Sequence, residues 1–297
     1  CGFVFTCPNC DVALTYHRFD ESLRCHYCGA NYKMPKTCPS CGREYIKYTG
    51  IGTQQVEEQL KLVFPNVRCL RMDMDTTSGK TAHRDILDAF TRREADVLIG
   101  TQMVAKGLDF PNVTLVGVLG ADSATYSEDF RSFERTFSLL TQVVGRAGRG
   151  GDRGLAVIQS MNPESSVIKL AARQDYDGFY DMEIALRELR NVPPFRDLFT
   201  VTFTGLFEEH VRAAAKRFRD ALAMNLRQSP YAGMEFDLLG PAPAAIAKVN
   251  YTYRYRATLS CKNTKEIRAL LRFLLGAFAK DKQNKGVSAF VDVNAYD

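Results

Sequence analysis

The sequence predicts an α/β protein, a parallel sheet with helices on both faces, preceded by a cysteine-rich module and followed by a small α+β domain. Three observations carry that reading. Seven of the nine cysteines fall within the first 41 residues. From about Gly50 the apolar runs alternate between strand and helix length. A double proline, Pro193-Pro194, then opens a basic tail. At 297 residues and 45% hydrophobic, the chain can bury a sizeable core, and its length suits about two domains. The longest apolar stretch, around residues 270–279, is interrupted by Arg272 and is too short to cross a bilayer. No signal peptide is recognised, and a chain that starts at Cys1 rather than methionine is expected to be part of something longer. The net charge of +5 is uneven: residues 196–297 hold 16 Lys and Arg against 10 Asp and Glu. A basic C-terminal third suits nucleic acid or an acidic peptide, and equally an ordinary solvated surface.

The cysteines at 7 and 10, 25 and 28, and 38 and 41 form three C-x-x-C pairs. Two thiolates at that spacing point into one tetrahedral site, and a glycine after the second cysteine lets the turn fold back tightly. Gly29 and Gly42 follow Cys28 and Cys41 in this way, and Gly2 follows Cys1. Cys1 therefore reads as the second member of a fourth pair cut by the chain start, and eight cysteines make two four-cysteine zinc sites. The short loops leave two pairings. With the inner pairs sharing an ion, Cys7, Cys10, Cys25 and Cys28 form one site, and Cys38 and Cys41 join Cys1 in the other. Paired knuckles without a secretory signal favour metal over disulfides. His17 and His26 are read as ordinary polar residues, since the cysteines fill the coordination number. Cys69 and Cys261 read as reduced structural thiols in a reducing compartment.

From residue 50 onward the elements follow in order. Gly50-Ile51-Gly52-Thr53 turns into an amphipathic helix to about residue 64, stopped by Pro65. A strand over 67–72, a helix over about 81–93 and a buried strand over 96–100 come next. A strand over 113–119, a long helix over about 130–147 and a strand over 155–159 complete the sheet. Ser78-Gly79-Lys80-Thr81 imitates the end of a phosphate loop, but Met74 stands where its first glycine should be, and no hydrophobic strand leads into it. No magnesium-binding acidic box is found either, so the phosphate cradle of a nucleotide site is not expected in this chain.

The most specific stretch is Gln142-Val143-Val144-Gly145-Arg146-Ala147-Gly148-Arg149. Two arginines three apart share one side of a helix or its last turn, so both guanidiniums can converge on one polyphosphate. The glycines around them keep the backbone thin and able to end the helix. Thr101-Gln102-Met103-Val104-Ala105-Lys106-Gly107-Leu108-Asp109 follows the buried strand at 96–100, where ligand loops of parallel sheets occur.

These two stretches resemble the last conserved motif and motif V of superfamily 2 helicases and translocases. With the cysteine ladder before them and the basic tail after, the whole chain resembles the bacterial primosomal replication-restart helicase family. Gly50-Ile51-Gly52-Thr53, Asp73-Met74-Asp75-Thr76-Thr77, Gly117-Val118-Leu119-Gly120-Ala121-Asp122, Leu239-Gly240-Pro241-Ala242-Pro243 and Val291-Asp292-Val293 also carry the resemblance. It implies a RecA-like second helicase lobe over 49–165 between a zinc module at 1–48 and a helical connector at 166–195, with the α+β domain at 196–297. It further implies a C-terminal fragment whose first lobe, with its Walker motifs, lies upstream, so that the fragment alone is inactive. By the same resemblance, Gln142, Arg146 and Arg149 are catalytic, Gly107, Asp109 and Gly145 line the nucleotide cleft, and Thr101, Gln102 and Lys106 contact DNA. Many superfamily members carry arginine where this chain has Lys106. The implied cofactors are zinc, ATP and magnesium. The implied setting is the bacterial cytoplasm at the nucleoid, and the implied activity 3′ to 5′ unwinding at stalled or repaired forks to start primosome assembly. The implied partners are forked and single-stranded DNA, single-stranded-DNA-binding protein and other primosome proteins. A non-catalytic zinc-bearing scaffold and a different superfamily 2 duplex translocase are the competing readings.

Beyond residue 195 the sequence predicts a strand over 199–203, a basic helix over about 208–226, a strand over 251–259, a helix around 264–279 and a last strand. Tyr251, Tyr253 and Tyr255 alternate with Thr252, Arg254 and Arg256, so aromatics and cations take opposite faces. One core face and one solvated face is the favoured reading; arginines gripping phosphate or an acidic peptide is the other.

Overall fold

The computed structural model describes residues 1–17, 20–44, 46, 52–73, 76–77, 81–101, 104, 110–125, 129–147 and 154–295. Contacts gather the chain into two units, Thr49–Leu186 and a second that joins Cys1–Tyr48 to Arg187–Asp297. Among the described residues no helix is long and apolar enough to cross a membrane.

In the first unit, α1 (Thr53–Val63) starts after an extended Gly52 and ends at Phe64, which leaves helical geometry ahead of Pro65. The Thr53 hydroxyl donates to Asp73 Oδ2 at 2.6 Å, which ties the start of α1 to the loop after β4 (Cys69–Met72). Through α2 (Ala82–Thr91) the chain returns to β5 (Val97–Gly100), parallel to β4. Parallel strands need such a crossover. At Gly100 a Cβ would lie 2.1 Å from Val104 Cγ2 and 2.9 Å from the Met72 carbonyl oxygen. Only glycine lets the loop after β5 pass that close.

β6 (Leu115–Val118) pairs in parallel with β7 (Leu155–Ile158) across α3 (Ser132–Val144). Along α3 the apolar positions Phe133, Phe137 and Leu140 recur at helical spacing. They pack on α4 (Ser166–Arg173) and α5 (Tyr176–Leu189) through Val167, Ile168, Ala171 and Phe179. Phe137 and Phe179 stack with centroids 4.1 Å apart and planes 10° apart. Asp122 is buried behind β6 and accepts from the Ser160 hydroxyl at 2.7 Å and the Met161 amide at 2.6 Å. The two loops that follow β6 and β7 are thereby joined. The expected Ser78-Gly79-Lys80 loop and the Gly50-Ile51 turn lie outside the described residues.

The connector helix ends at Leu189, ahead of the double proline that opens the basic tail. Asn191 takes a left-handed φ of 52°, and the Val192 amide bonds back to the Arg187 carbonyl at 3.1 Å. Asparagine tolerates that conformation at a helix C-terminus, so the prolines only prevent resumption.

In the second unit, β1 (Thr15–His17), β2 (Ser22–Arg24) and β3 (Asn31–Lys33) make a small antiparallel sheet. The C-terminal part is β8 (Asp197–Gly205), α6 (Glu208–Leu226), β9 (Phe236–Val249), β10 (Thr252–Cys261), α7 (Lys265–Lys280) and β11 (Val287–Val293). Its antiparallel sheet runs β11-β8-β10-β9. α6 and α7 bury one sheet face with Phe199, Val201, Phe203, Phe218, Leu259 and Leu271 at the centre. The Thr264 side chain caps α7 by accepting from the Ile267 amide at 3.3 Å. Tyr255, Ala257 and Leu259 face the helices, with Arg254, Arg256 and Thr258 on the alternate side, so one face of β10 is core. Tyr251, read as a strand residue, instead sits in the turn before β10 with φ 63°.

β9 was not foreseen because Gly240-Pro241-Ala242-Pro243 reads as a loop. It forms the sheet edge, where a proline nitrogen has no ladder bond to make, and register shifts against β10 absorb the segment.

Two outcomes are expected. Phe203→Ala should cost about 3–5 kcal/mol, read as a lower urea midpoint, because it empties the centre of the C-terminal core. The hydrogen bonds from Ser160 and Met161 hold the Asp122 carboxyl below its ordinary 3.8. A depressed carboxylate contributes stability that is present above 3.8 and lost as pH falls through the folded value. Asp122→Asn should therefore shrink the loss of thermal stability between pH 7 and pH 3.

Candidate metal centre and candidate nucleotide-facing cleft

Cys7, Cys10, Cys25 and Cys28 bring four sulfurs within 4.8 Å of one another, and Cys1, Cys38 and Cys41 bring three. The Cys7 and Cys28 sulfurs are 3.6 Å apart, and those of Cys1 and Cys38 are 3.7 Å apart. A tetrahedral zinc ion with arms of about 2.3 Å needs sulfur separations of about 3.8 Å, so both clusters have the right size. The clusters are those reached when the inner pairs share one site. Neither histidine joins them; His17 and His26 pack on each other with centroids 5.3 Å apart.

Local backbone geometry explains how short loops achieve this. In each complete pair the first cysteine's amide bonds to the carbonyl five residues on: Cys7 to Val12, Cys25 to Ala30 and Cys38 to Arg43, at 2.9, 2.9 and 2.8 Å. In the second and third knuckles Gly29 and Gly42 return their amides to the Cys25 and Cys38 carbonyls, each at 2.9 Å. Gly29 and Gly42 have φ of 74° and 71°, and Gly2 has 78°. The left-handed backbone, rather than crowding, demands glycine there. Cys1-Gly2 thus has the local form of the later Cys-Gly steps.

The donor set fits a dication. Cys7, Cys10 and Cys25 are buried, and burial pushes the Cys10 thiol up to about 12 and the Cys7 thiol in the same direction. Several thiolates cannot share so dry a volume without positive charge at its centre. At Cys28 the Ala30 amide acts the other way and brings the thiol down to about 7.

At the other candidate site, α3 ends in tightened turns: the Arg146 amide bonds to the Val143 carbonyl at 3.1 Å and that of Ala147 to Val144 at 3.3 Å. A cleft of about 440 Å³ opens there, lined by Phe137, Thr141, Gln142, Gly145, Arg146, Gln174 and Tyr176. Gln142, Gly145 and Arg146 are therefore brought together. A Cβ on Gly145 would lie 3.1 Å from Gln174 Nε2 and 3.2 Å from the Thr141 carbonyl oxygen, so glycine keeps the floor low. Gln174 and Tyr176 were not foreseen. They come from the α4–α5 junction, and no motif marks them; only helix packing carries them to α3. Thr101 is exposed at the carboxyl end of β5, and its carbonyl accepts from the Val104 amide at 3.0 Å. Gln102, Lys106, Gly107, Asp109 and Arg149 lie outside the described residues.

Residues 7–33 match the PriA DNA helicase Cys-rich region (CRR) domain, residues 45–151 the helicase conserved C-terminal domain, and residues 188–296 the primosomal protein N C-terminal domain. The replication restart protein PriA of Bacillus subtilis (strain 168) is 45% identical over all of this chain, which covers 36% of that relative. That of Synechocystis is 45% identical over 86% of the chain and 31% of the relative. That of Haemophilus influenzae is 35% identical over all of the chain and 40% of the relative. The chain thus spans roughly a third of the length of these curated relatives.

Metal analysis of the purified chain is expected to find one firmly held zinc and a second that chelators remove readily, since Cys1, Cys38 and Cys41 supply only three sulfurs. Cys25→Ser should remove the firm ion and leave the labile one.

Proposed function

This chain belongs to the PriA family of replication restart proteins, and we propose that it supplies the zinc module, the second motor lobe and the C-terminal domain of an ATP-dependent DNA helicase. The helicase would unwind DNA 3′ to 5′ at stalled or repaired forks in the bacterial cytoplasm, at the nucleoid, and start primosome assembly. Its partners would be forked and single-stranded DNA, single-stranded-DNA-binding protein and other primosome proteins. The observation that carries the motor reading is the shared cleft of Gln142, Gly145 and Arg146 at the end of α3, within a segment that matches a helicase domain.

In this reading a first lobe would hold ATP and magnesium, and lobe closure would bring Arg146 and Arg149 to the terminal phosphates. Guanidiniums placed there neutralise charge that builds up during phosphoryl transfer, an effect of about 10³–10⁵ in rate. Gln142 would act within the same cleft, and the family resemblance assigns Gly107 and Asp109 to the nucleotide. Thr101, at the carboxyl end of β5, would hold strand phosphates together with Gln102 and Lys106. Opening and closing then move that grip along the DNA in one direction. Zinc would be structural: four thiolates close its coordination and leave no position for a reacting water.

In the complete protein, Arg146→Ala or Arg149→Ala is expected to lower DNA-stimulated ATP turnover by about 10³-fold or more while forked-DNA binding is largely kept. The chain alone should turn over no ATP. Unchanged turnover in both variants overturns the finger assignment.

A further inference from the structure

The first knuckle, Cys7 to Cys10, differs from the other two: Asp11 stands where they have glycine. Gly29 and Gly42 turn their amides back onto their own knuckles, whereas the Asp11 amide donates to the Lys248 carbonyl at 3.0 Å. Lys248 belongs to the tip of the β9–β10 hairpin, more than two hundred residues away in sequence. Three further bonds join the same surfaces. The Asn250 amide donates to Cys10 Sγ at 3.2 Å, the Tyr251 amide to the Asn9 carbonyl at 2.8 Å, and Lys248 Nζ to the Pro8 carbonyl at 3.0 Å. Val249 packs against the buried Cys7, Cys10 and Cys25. The Cys28 sulfur accepts from Asn9 Nδ2 at 3.7 Å, within the N-terminal module. The Cys10 sulfur accepts from the C-terminal domain.

The hairpin tip is also strained in a way that suits this contact. Asn250 and Tyr251 both have positive φ, 47° and 63°. A two-residue turn of this kind favours Asn-Gly, and a bulky side chain in the left-handed region is costly. Such cost persists where surrounding contacts over-determine the backbone. Here those contacts are the two amides of the turn, one on a metal-ligand sulfur and one on the backbone beside it.

We propose that the β9–β10 hairpin is the outer shell of the four-cysteine metal site: its Lys248 carbonyl takes the Asp11 amide that a glycine turns back onto its own knuckle, and its Asn250 amide donates to the Cys10 sulfur. The inference rests on zinc occupying that cluster. Metal retention by the N-terminal module then depends on the C-terminal domain, and the hairpin's geometry depends on the metal. Outer-shell hydrogen bonds to metal ligands typically alter affinity about 10–100-fold.

The test uses the whole chain loaded with zinc. In one variant residues 248–253 are replaced by Asn-Gly, which closes the hairpin short of the knuckle. Zinc transfer to a chelating dye should quicken about 10-fold or more, with the thermal unfolding of the C-terminal domain kept. In the unaltered chain, stripping the metal should speed hydrogen exchange at the amides of Asn250, Tyr251 and Asp11, while Val201 and Leu259 in the central strands keep their protection. The exchange experiment decides alone if the variant does not fold. Hairpin exchange indifferent to metal removal, or unchanged zinc transfer in a folded variant, overturns the coupling and leaves the zinc reading intact. A purified chain that holds no zinc overturns both.

Discussion

Four converging sulfurs, three of them buried, constrain this protein more than any other local feature. The N-terminal module has almost nothing else to fold around: its buried cluster is Cys7, Cys10 and Cys25, with a few half-buried neighbours such as Val12, Leu14 and Ala30. So small a core cannot offset the chain entropy of its loops, and small modules of this kind draw their folding energy from the metal. The sulfurs must converge, and the knuckle glycines, the short strands β1–β3 and the hairpin tip are arranged to let them. The alternative, dry thiols without a cation, leaves Cys10 protonated near neutral pH and the convergence without a purpose.

The other unit is organised by crossovers rather than by a centre. β4 and β5, then β6 and β7, are held parallel by helices that must pass over them, and the loops at the strand ends carry the residues of interest. Close approach sets the detail. Gly100 lets Val104, in the loop after β5, and the Met72 carbonyl close over it, and Gly145 lets Gln174 come down beside the end of α3. In both places a methyl group would push apart surfaces that the proposed chemistry needs together.

Much of this was legible in one dimension because the signals are local. The C-x-x-C spacing with following glycines specifies a knuckle almost by itself, and the clusters formed are those of the inner-pair reading. Helical periodicity marked α3, α6 and α7 well because each buries one face. β9 escaped notice because its prolines look like a loop until edge position is known. Tyr251 looked like a strand residue until the turn before β10 placed it at positive φ.

The sequence by itself determined the order of the three family-matched segments, the cysteines that cluster and the two motif stretches, since each depends on residues within a few positions of one another. The tertiary structure alone decided that Gln174 and Tyr176 share a cleft with Arg146, and that Asn250 donates to Cys10. Those contacts join segments about 30 and 240 residues apart. Backbone amides and helix packing make them, and neither carries a residue-type signature that a sequence can display.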